Sequence, residues 1–175
     1  MHLTNVVCSG SLCCRIDLKK LCYELDNAIY DSKNFPGLIW KHRRISGSCL
    51  VFSNGVIHCN GKADSFMDGV RRLRRYARYL QKLRFSVQLK EVKVMTASAF
   101  HCLKAVLDIK ALVKETDCIY EPELFPMAVL RRNGIVFNCF YTGKIIIAGI
   151  KSMNQIDDTV LPTLLELNLY TRKKD

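Results

Sequence analysis

Apolar and polar positions alternate along two stretches of this chain. Over 49–60, Cys49, Val51, Ile57 and Cys59 fall on one side, and Leu50, Phe52, Asn54, Val56, His58 and Asn60 on the other. Over 138–148, Cys139, Tyr141, Ile145 and Ile147 share one side, and Asn138, Phe140, Thr142, Lys144, Ile146 and Ala148 the other. A period of two belongs to β-strands. Asn54-Gly55 and Thr142-Gly143 interrupt the two stretches and predict hairpin turns. Short opening strands are expected at Leu3–Cys8 and Val92–Ser98. Elsewhere the period is helical. Leu18, Leu21, Cys22 and Leu25 form one apolar stripe, and Ile109, Leu112 and Val113 another. A longer helix is expected from Ser65, where Ser65 and Asp68 fit a capping box. Phe66, Val70, Leu73, Ala77 and Leu80 line one of its faces, and Arg71, Arg75, Arg78 and Lys82 another. A last helix is expected over 153–169, kinked or broken at Pro162, with a mobile basic tail, Arg172-Lys173-Lys174, after it.

These elements occur twice in the same order. Ile16-Asp17-Leu18-Lys19-Lys20-Leu21 recurs as Leu107-Asp108-Ile109-Lys110-Ala111-Leu112, offset by 91. Ile29-Tyr30-Asp31 and Phe35-Pro36 recur as Ile119-Tyr120-Glu121 and Phe125-Pro126, offset by 90. The strand carrying Phe52 recurs as the strand carrying Phe140, offset by 88. The chain is therefore read as two repeats, 1–86 and 87–175, sharing a pseudo-two-fold arrangement. Asp17 and Asp108 open equivalent helices, where a carboxylate caps and offsets the dipole.

The pattern also separates two sheet faces. The helices must bury their apolar stripes on the face that carries Cys49 and Cys139. The opposite face, with Phe52, Leu50, Phe140 and Ile146, then has no helix left to cover it. An uncovered apolar face is a binding surface; a second subunit is the alternative occupant.

Composition narrows the partner. The 175 residues carry a formal net charge of +11, and 49% are apolar. A basic excess favours polyanions, nucleic acid above all. The nine cysteines include no Cys-x-x-Cys pair and there is no His-x-x-x-His, so no metal site is expected. The start has no signal-peptide character, which points to reduced thiols inside the cell. No apolar run reaches membrane-spanning length, so no membrane partner is expected. No carboxylate cluster, nucleophile–base set or phosphate loop stands out, so neither an enzyme nor a cofactor is expected.

Specific stretches go further. Tyr120-Glu121-Pro122-Glu123-Leu124-Phe125-Pro126 resembles a heptapeptide of the TATA-box-binding proteins. The segment from Tyr76 to Phe85 resembles the end of their long helix, and Leu3-Thr4-Asn5-Val6-Val7 their opening strand. The resemblance runs over nearly the whole chain, without the family's long N-terminal extension and with small deletions near 114–119 and 131–135. It implies an α+β fold: a pseudo-two-fold saddle, a curved ten-stranded antiparallel sheet with four helices on the convex side. The concave side of such a saddle sits on a widened DNA minor groove, and one phenylalanine pair per repeat wedges into a base step.

Carried over residue by residue, the wedges are Phe35 with Phe52, 17 residues apart, and Phe125 with Phe140, 15 apart. The implied groove-facing set is Asn5, Val7, Leu50, His58 and Asn60 in the first repeat, and Thr96, Ser98, Ile146 and Ala148 in the second. Lys41, Arg43, Arg131 and Lys144 match phosphate-contacting positions. Glu121, Glu123 and Leu124 match the site for transcription factor IIB. Arg71, Arg75, Arg78 and Lys82 match the surface for transcription factor IIA and repressors, and TATA-binding-protein-associated factors are further implied partners. Promoter DNA and a nuclear location follow from the same resemblance.

The chain departs from the family pattern at positions that read sequence. Thr96 stands where an asparagine is expected, Asn60 and Ala148 where threonines are, and His58 and Ser98 where valines are. Val56 replaces the counterpart of Lys144. Two functions follow. One is a sequence-selective minor-groove initiation factor that bends promoter DNA and nucleates the preinitiation complex. The other is a related factor with weak or no TATA binding, acting as a protein platform for factors IIA and IIB.

Overall fold

The computed structural model describes residues 1–172. The chain forms two compact units, one of Thr4–Met95 and one of Met1–Leu3 with the residues from Thr96 onward. The division falls inside a strand that runs unbroken from Lys90 to Cys102.

The first unit contains most of β1 (His2–Ser11), then α1 (Leu18–Glu24), β2 (Ala28–Ile29), β3 (Gly37–Trp40), β4 (Ser48–Phe52), β5 (Val56–Asn60) and α2 (Phe66–Lys82), with strand order β2-β3-β4-β5-β1. The second contains most of β6 (Lys90–Cys102), then β7 (Val106–Leu107), α3 (Ile109–Glu115), β8 (Met127–Arg132), β9 (Ile135–Phe140) and β10 (Lys144–Ile150). Its order, β8-β9-β10-β6, repeats the order β3-β4-β5-β1. The counterpart of β2 is reduced to one bridge, Ile119 with Val129. The neighbouring amide of Cys118 goes instead to Thr116 Oγ1, at 3.3 Å, so the strand does not extend. The expected tenth strand is thus a single residue pair.

Local chemistry explains the helices. Asp17 caps α1 by accepting from the amides of Lys19 and Lys20, and Asp108 caps α3 by accepting from Ala111. At α2 the capping box closes in both directions: Ser65 Oγ accepts from the Asp68 amide, and Asp68 Oδ2 from the Ser65 amide. Leu73, Ala77 and Leu80 are buried as the spacing predicts, and Tyr76 joins them. α2 lies close to β1 because Gly69 has no side chain; a Cβ there would come within 2.6 Å of Val6 Cγ1 and 2.9 Å of Cys8 Sγ.

The closing segment runs as α4 (Met153–Gln155), a π-helical turn (Ile156–Val160) and α5 (Leu161–Leu169). The regular helix is interrupted just before Pro162, by the π turn, and resumes with Pro162 in its first turn. The wider π turn, with the Leu161 amide bonded to Ile156 O, lets Pro162 enter in the first turn of α5, where a missing N–H costs little. Arg172 is not part of a loose tail. It lies in β11 (Thr171–Arg172), opposite Val106, and pairs with the Asp108 carboxylate. Lys173 and Lys174 lie outside the described residues.

Side-chain alternation holds in both units. Cys49, Val51, Ile57, Cys59, Cys139, Ile145 and Ile147 are buried, and the residues between them are half-buried or exposed. Tyr141 is the exception: β9 ends at Phe140, and Tyr141 sits in the turn, 62% exposed. All nine cysteines are free, and Cys8, Cys49, Cys59, Cys118 and Cys139 serve as small core residues.

Candidate nucleic-acid interface

The face left open by the first unit is laid out by strand register. Across it run Ile39, Leu50, His58 and Ser9, each opposite the next. One row along, Gly37 faces Phe52 and, on the other side, Ser48 faces Asn60. Phe35 reaches the face from the loop before β3. Its ring meets Phe52 edge to face, with centroids 5.9 Å apart. The pair closes over Gly37, where a Cβ would come within 2.7 Å of Phe35 Cε1 and 2.9 Å of Phe52 Cε1. Phe52 also meets the His58 ring at 5.6 Å.

Two amides on this face are oriented, one by a backbone N–H and one by a serine hydroxyl. Asn5 Oδ1 accepts from the Gly61 amide at 2.8 Å, and Asn60 Oδ1 accepts from Ser48 Oγ at 2.5 Å. Each accepted bond fixes which side of the amide is the carbonyl, and the NH2 group of each residue is a donor. Gly61 is held in turn by Arg72, a buried guanidinium reaching the Gly61 and Lys62 carbonyls. Val7 lies half-buried between Val6 and Cys8 on the same face as Asn5.

In the second unit the corresponding row is Val129, Asn138, Ile146 and Phe100, and the next is Arg131, Val136, Ala148 and Ser98. Met127 faces Phe140, in the place of Gly37. Phe125 is 57% exposed, and no ring contact joins it to Phe140 among the described residues. The two loops that carry Phe35 and Phe125 are nevertheless built alike. The Phe35 amide donates to Asp31 O and the Phe125 amide to Glu121 O, each at 2.9 Å. Thr96, Ser98, Ile146 and Ala148 are half-buried on β6 and β10, with a register irregularity between Ala148 and Ile150.

The basic and partner positions are all at the surface. Lys41, Arg43, Arg131 and Lys144 are exposed, and none forms an ion pair among the described residues. Arg132, by contrast, is engaged by Asp117 and by Glu166, the latter at 3.4 Å. Glu121, Glu123 and Leu124 are exposed on the turn that holds Phe125, Leu124 by 67%. Arg71, Arg75, Arg78 and Lys82 point outward from α2; Arg71 lies 3.5 Å from Asp68, and Arg75 donates to Arg44 O. Arg72, which interrupts this basic series in sequence, is only 4% exposed.

Sequence reasoning missed Phe100. Its strand runs four residues past the expected end at Ser98, and the ring stacks on His2 at 5.4 Å. Continuing the alternation Thr96, Ser98 by one more step would have found it.

Comparisons with known proteins agree with this geometry. The chain is similar in structure to the Methanococcus jannaschii TBP, with a TM-score of 0.83 and 25% identity, over 96% of this chain and 98% of that one. That likeness establishes the α+β fold the sequence resemblance predicts. In sequence, the chain is 36% identical over 162 residues to the Drosophila melanogaster TATA-box-binding protein, covering 90% of this chain and 45% of the relative. It is 34% identical over 159 residues to the Rattus norvegicus TATA box-binding protein-like 2, covering 89% and 46%. The chain thus spans about half the length of these relatives. The profile of the family described as "Transcription factor TFIID (or TATA-binding protein, TBP)" matches residues 1–83 and 90–167. The chain belongs to the TATA-binding protein family.

Proposed function

We propose that this chain is a nuclear, minor-groove DNA-binding initiation factor that bends promoter DNA by inserting phenylalanines and nucleates a preinitiation complex. The observation that carries it is the Phe35–Phe52 pair, edge to face over Gly37 on an open face that also carries the amides of Asn5 and Asn60. The repeats 1–86 and 87–175 each supply one wedge pair, Phe35 with Phe52 and Phe125 with Phe140. Asn5, Val7, Leu50, His58 and Asn60, with Thr96, Ser98, Ile146 and Ala148, face the groove. Amide donors suit the minor-groove acceptors of A·T pairs. Kinking costs a few kcal/mol per unstacked step and is offset by the contacts a bent duplex allows. Lys41, Arg43, Arg131 and Lys144 neutralise phosphates. The exposed Glu121, Glu123 and Leu124 receive transcription factor IIB. The α2 cations Arg71, Arg75, Arg78 and Lys82 receive transcription factor IIA, repressors or TATA-binding-protein-associated factors. The chemistry is recognition and not catalysis.

A second reading is favoured by one observation: the second unit places Thr96 and Ala148 where the first places Asn5 and Asn60. With weak A·T reading there, the chain would act as a platform for factors IIA and IIB at promoters without a TATA element. Fluorescence-detected bending of a TATA duplex and a scrambled duplex at one salt concentration separates the two. Bending of the TATA duplex that disappears in Phe125→Ala supports the first reading. Tight factor binding with no bending of either duplex supports the second.

A further inference from the structure

We infer that His58 allows this chain to accept a guanine in the minor groove, by taking a hydrogen bond from the exocyclic N2 amine. The inference rests on the minor-groove reading of the open face and adds a specificity-determining residue to it.

His58 occupies the middle of the first unit's face. It lies in β5 between the buried Ile57 and Cys59, with Leu50 opposite on one side and Ser9 on the other. Its ring stands edge-on to Phe52, one of the two wedge residues. The side chain is therefore next to the base step that Phe35 and Phe52 enter, not at the sheet's edge. Neither ring nitrogen is hydrogen-bonded to protein among the described residues. Burial, then the nearby charge of Lys93, holds the imidazole below its ordinary pKa. At neutral pH the ring thus keeps one donor nitrogen and one acceptor nitrogen.

The acceptor matters because of what surrounds it. Leu50, Ile39 and Val7 are apolar. Asn5 and Asn60 each turn the carbonyl to a protein donor, the Gly61 amide and Ser48 Oγ. Their NH2 groups are donors, which match the acceptors of A·T pairs. A G·C pair adds to the minor groove one group of opposite character, the guanine N2 amine. Against donors and methyl groups that amine loses its hydrogen bond to water and gains nothing. Against the free imidazole nitrogen it is paired. In the second unit the equivalent register position is Ile146, which has no acceptor.

Inosine provides the test, because an I·C pair lacks only the N2 amine and shows the A·T pattern in the minor groove. Binding of the full chain is measured by fluorescence anisotropy to a TATA duplex and to duplexes with each A·T pair changed in turn to G·C or I·C. At one position in one half of the site, G·C is expected to bind within about threefold of I·C, and in His58→Val about tenfold or more weaker, a typical value for one base contact. His58→Gln keeps an acceptor and should keep the tolerance. G·C and I·C affinities are compared as a ratio within each protein, and both variants should keep the parent's circular dichroism spectrum and urea midpoint, which shows that the sheet is folded. An equal G·C penalty at every position, in parent and His58→Val alike, overturns the inference while leaving the minor-groove reading in place. No binding to any duplex overturns that reading and the inference with it.

Discussion

Phe35 and Phe52 meet edge to face at 5.9 Å directly over Gly37, a residue with no Cβ to lift them. The second unit has Met127 at the equivalent place, and there Phe125 stands 57% exposed. The two phenylalanine pairs are therefore not equally supported. The first is a preorganised pair, and the second is a turn-held ring beside a strand-end ring.

The Gly37 contact predicts that Gly37→Ala displaces the first pair without unfolding the protein. The new Cβ meets ring carbons and not backbone, so the rings move aside. Overpacking of this kind costs ~1–3 kcal/mol. The expected result is a smaller bend angle and about tenfold weaker TATA binding for a modest fall in urea midpoint. An unchanged bend would mean the rings reach the DNA without this support.

Arg72 links the helix layer to the open face. Its Nη1 donates to Gly61 O at 3.3 Å, and the Gly61 amide holds Asn5 at 2.8 Å. Arg72→Lys cannot reach both the Gly61 and Lys62 carbonyls with a planar fork. A loss of about 2–3 kcal/mol is expected in urea unfolding, with weaker discrimination between TATA and scrambled duplexes. Arg71→Lys, at a side chain 70% exposed, should change stability by less than ~0.5 kcal/mol.

Lys144 begins β10 and is exposed, as are Lys41, Arg43 and Arg131. If each neutralises one phosphate, Lys144→Ala lowers the slope of log K against log salt by ~0.9. The effect should be the same on TATA and scrambled duplexes, since phosphate contacts carry no sequence. A sequence-dependent effect would place Lys144 in the groove instead.

The thiols predict a reactivity pattern and an alkaline limit. Cys13 and Cys102 are exposed, so a disulfide reagent at pH 8 should modify them first. Burial pushes Cys8 and Cys118 up to about 11 and Cys139 to about 12, from an ordinary 9.0. Their folded-state values are raised, so the stability they contribute is present below pH 9 and is lost as pH rises through 9 to 12. Urea midpoints should fall across that window, and labelling of these three should require unfolding.

Much of this was legible in the sequence because it depends on neighbours in the chain. The capping box at Ser65, the caps at Asp17 and Asp108 and the sides assigned to Phe52, His58 and Ile146 rest on local spacing alone. Internal repetition gave the doubled strand order for the same reason: similar segments fold by similar local rules. The π turn ahead of Pro162 was not legible, because it depends on the backbone just before the proline, which composition does not reveal.

What the sequence by itself determined, then, is the alternation that leaves a phenylalanine-bearing face uncovered, and the positions that lie on it. Tertiary structure decided how those positions work. Gly37 lies fifteen residues before Phe52, yet register sets it directly under that ring. Asn5 is held by Gly61, 56 residues away, and Arg72 is drawn from a basic run into the interior to hold Gly61. Such contacts join strands and helices far apart in the chain, so their geometry exists only once the sheet has set its register and the helix has docked.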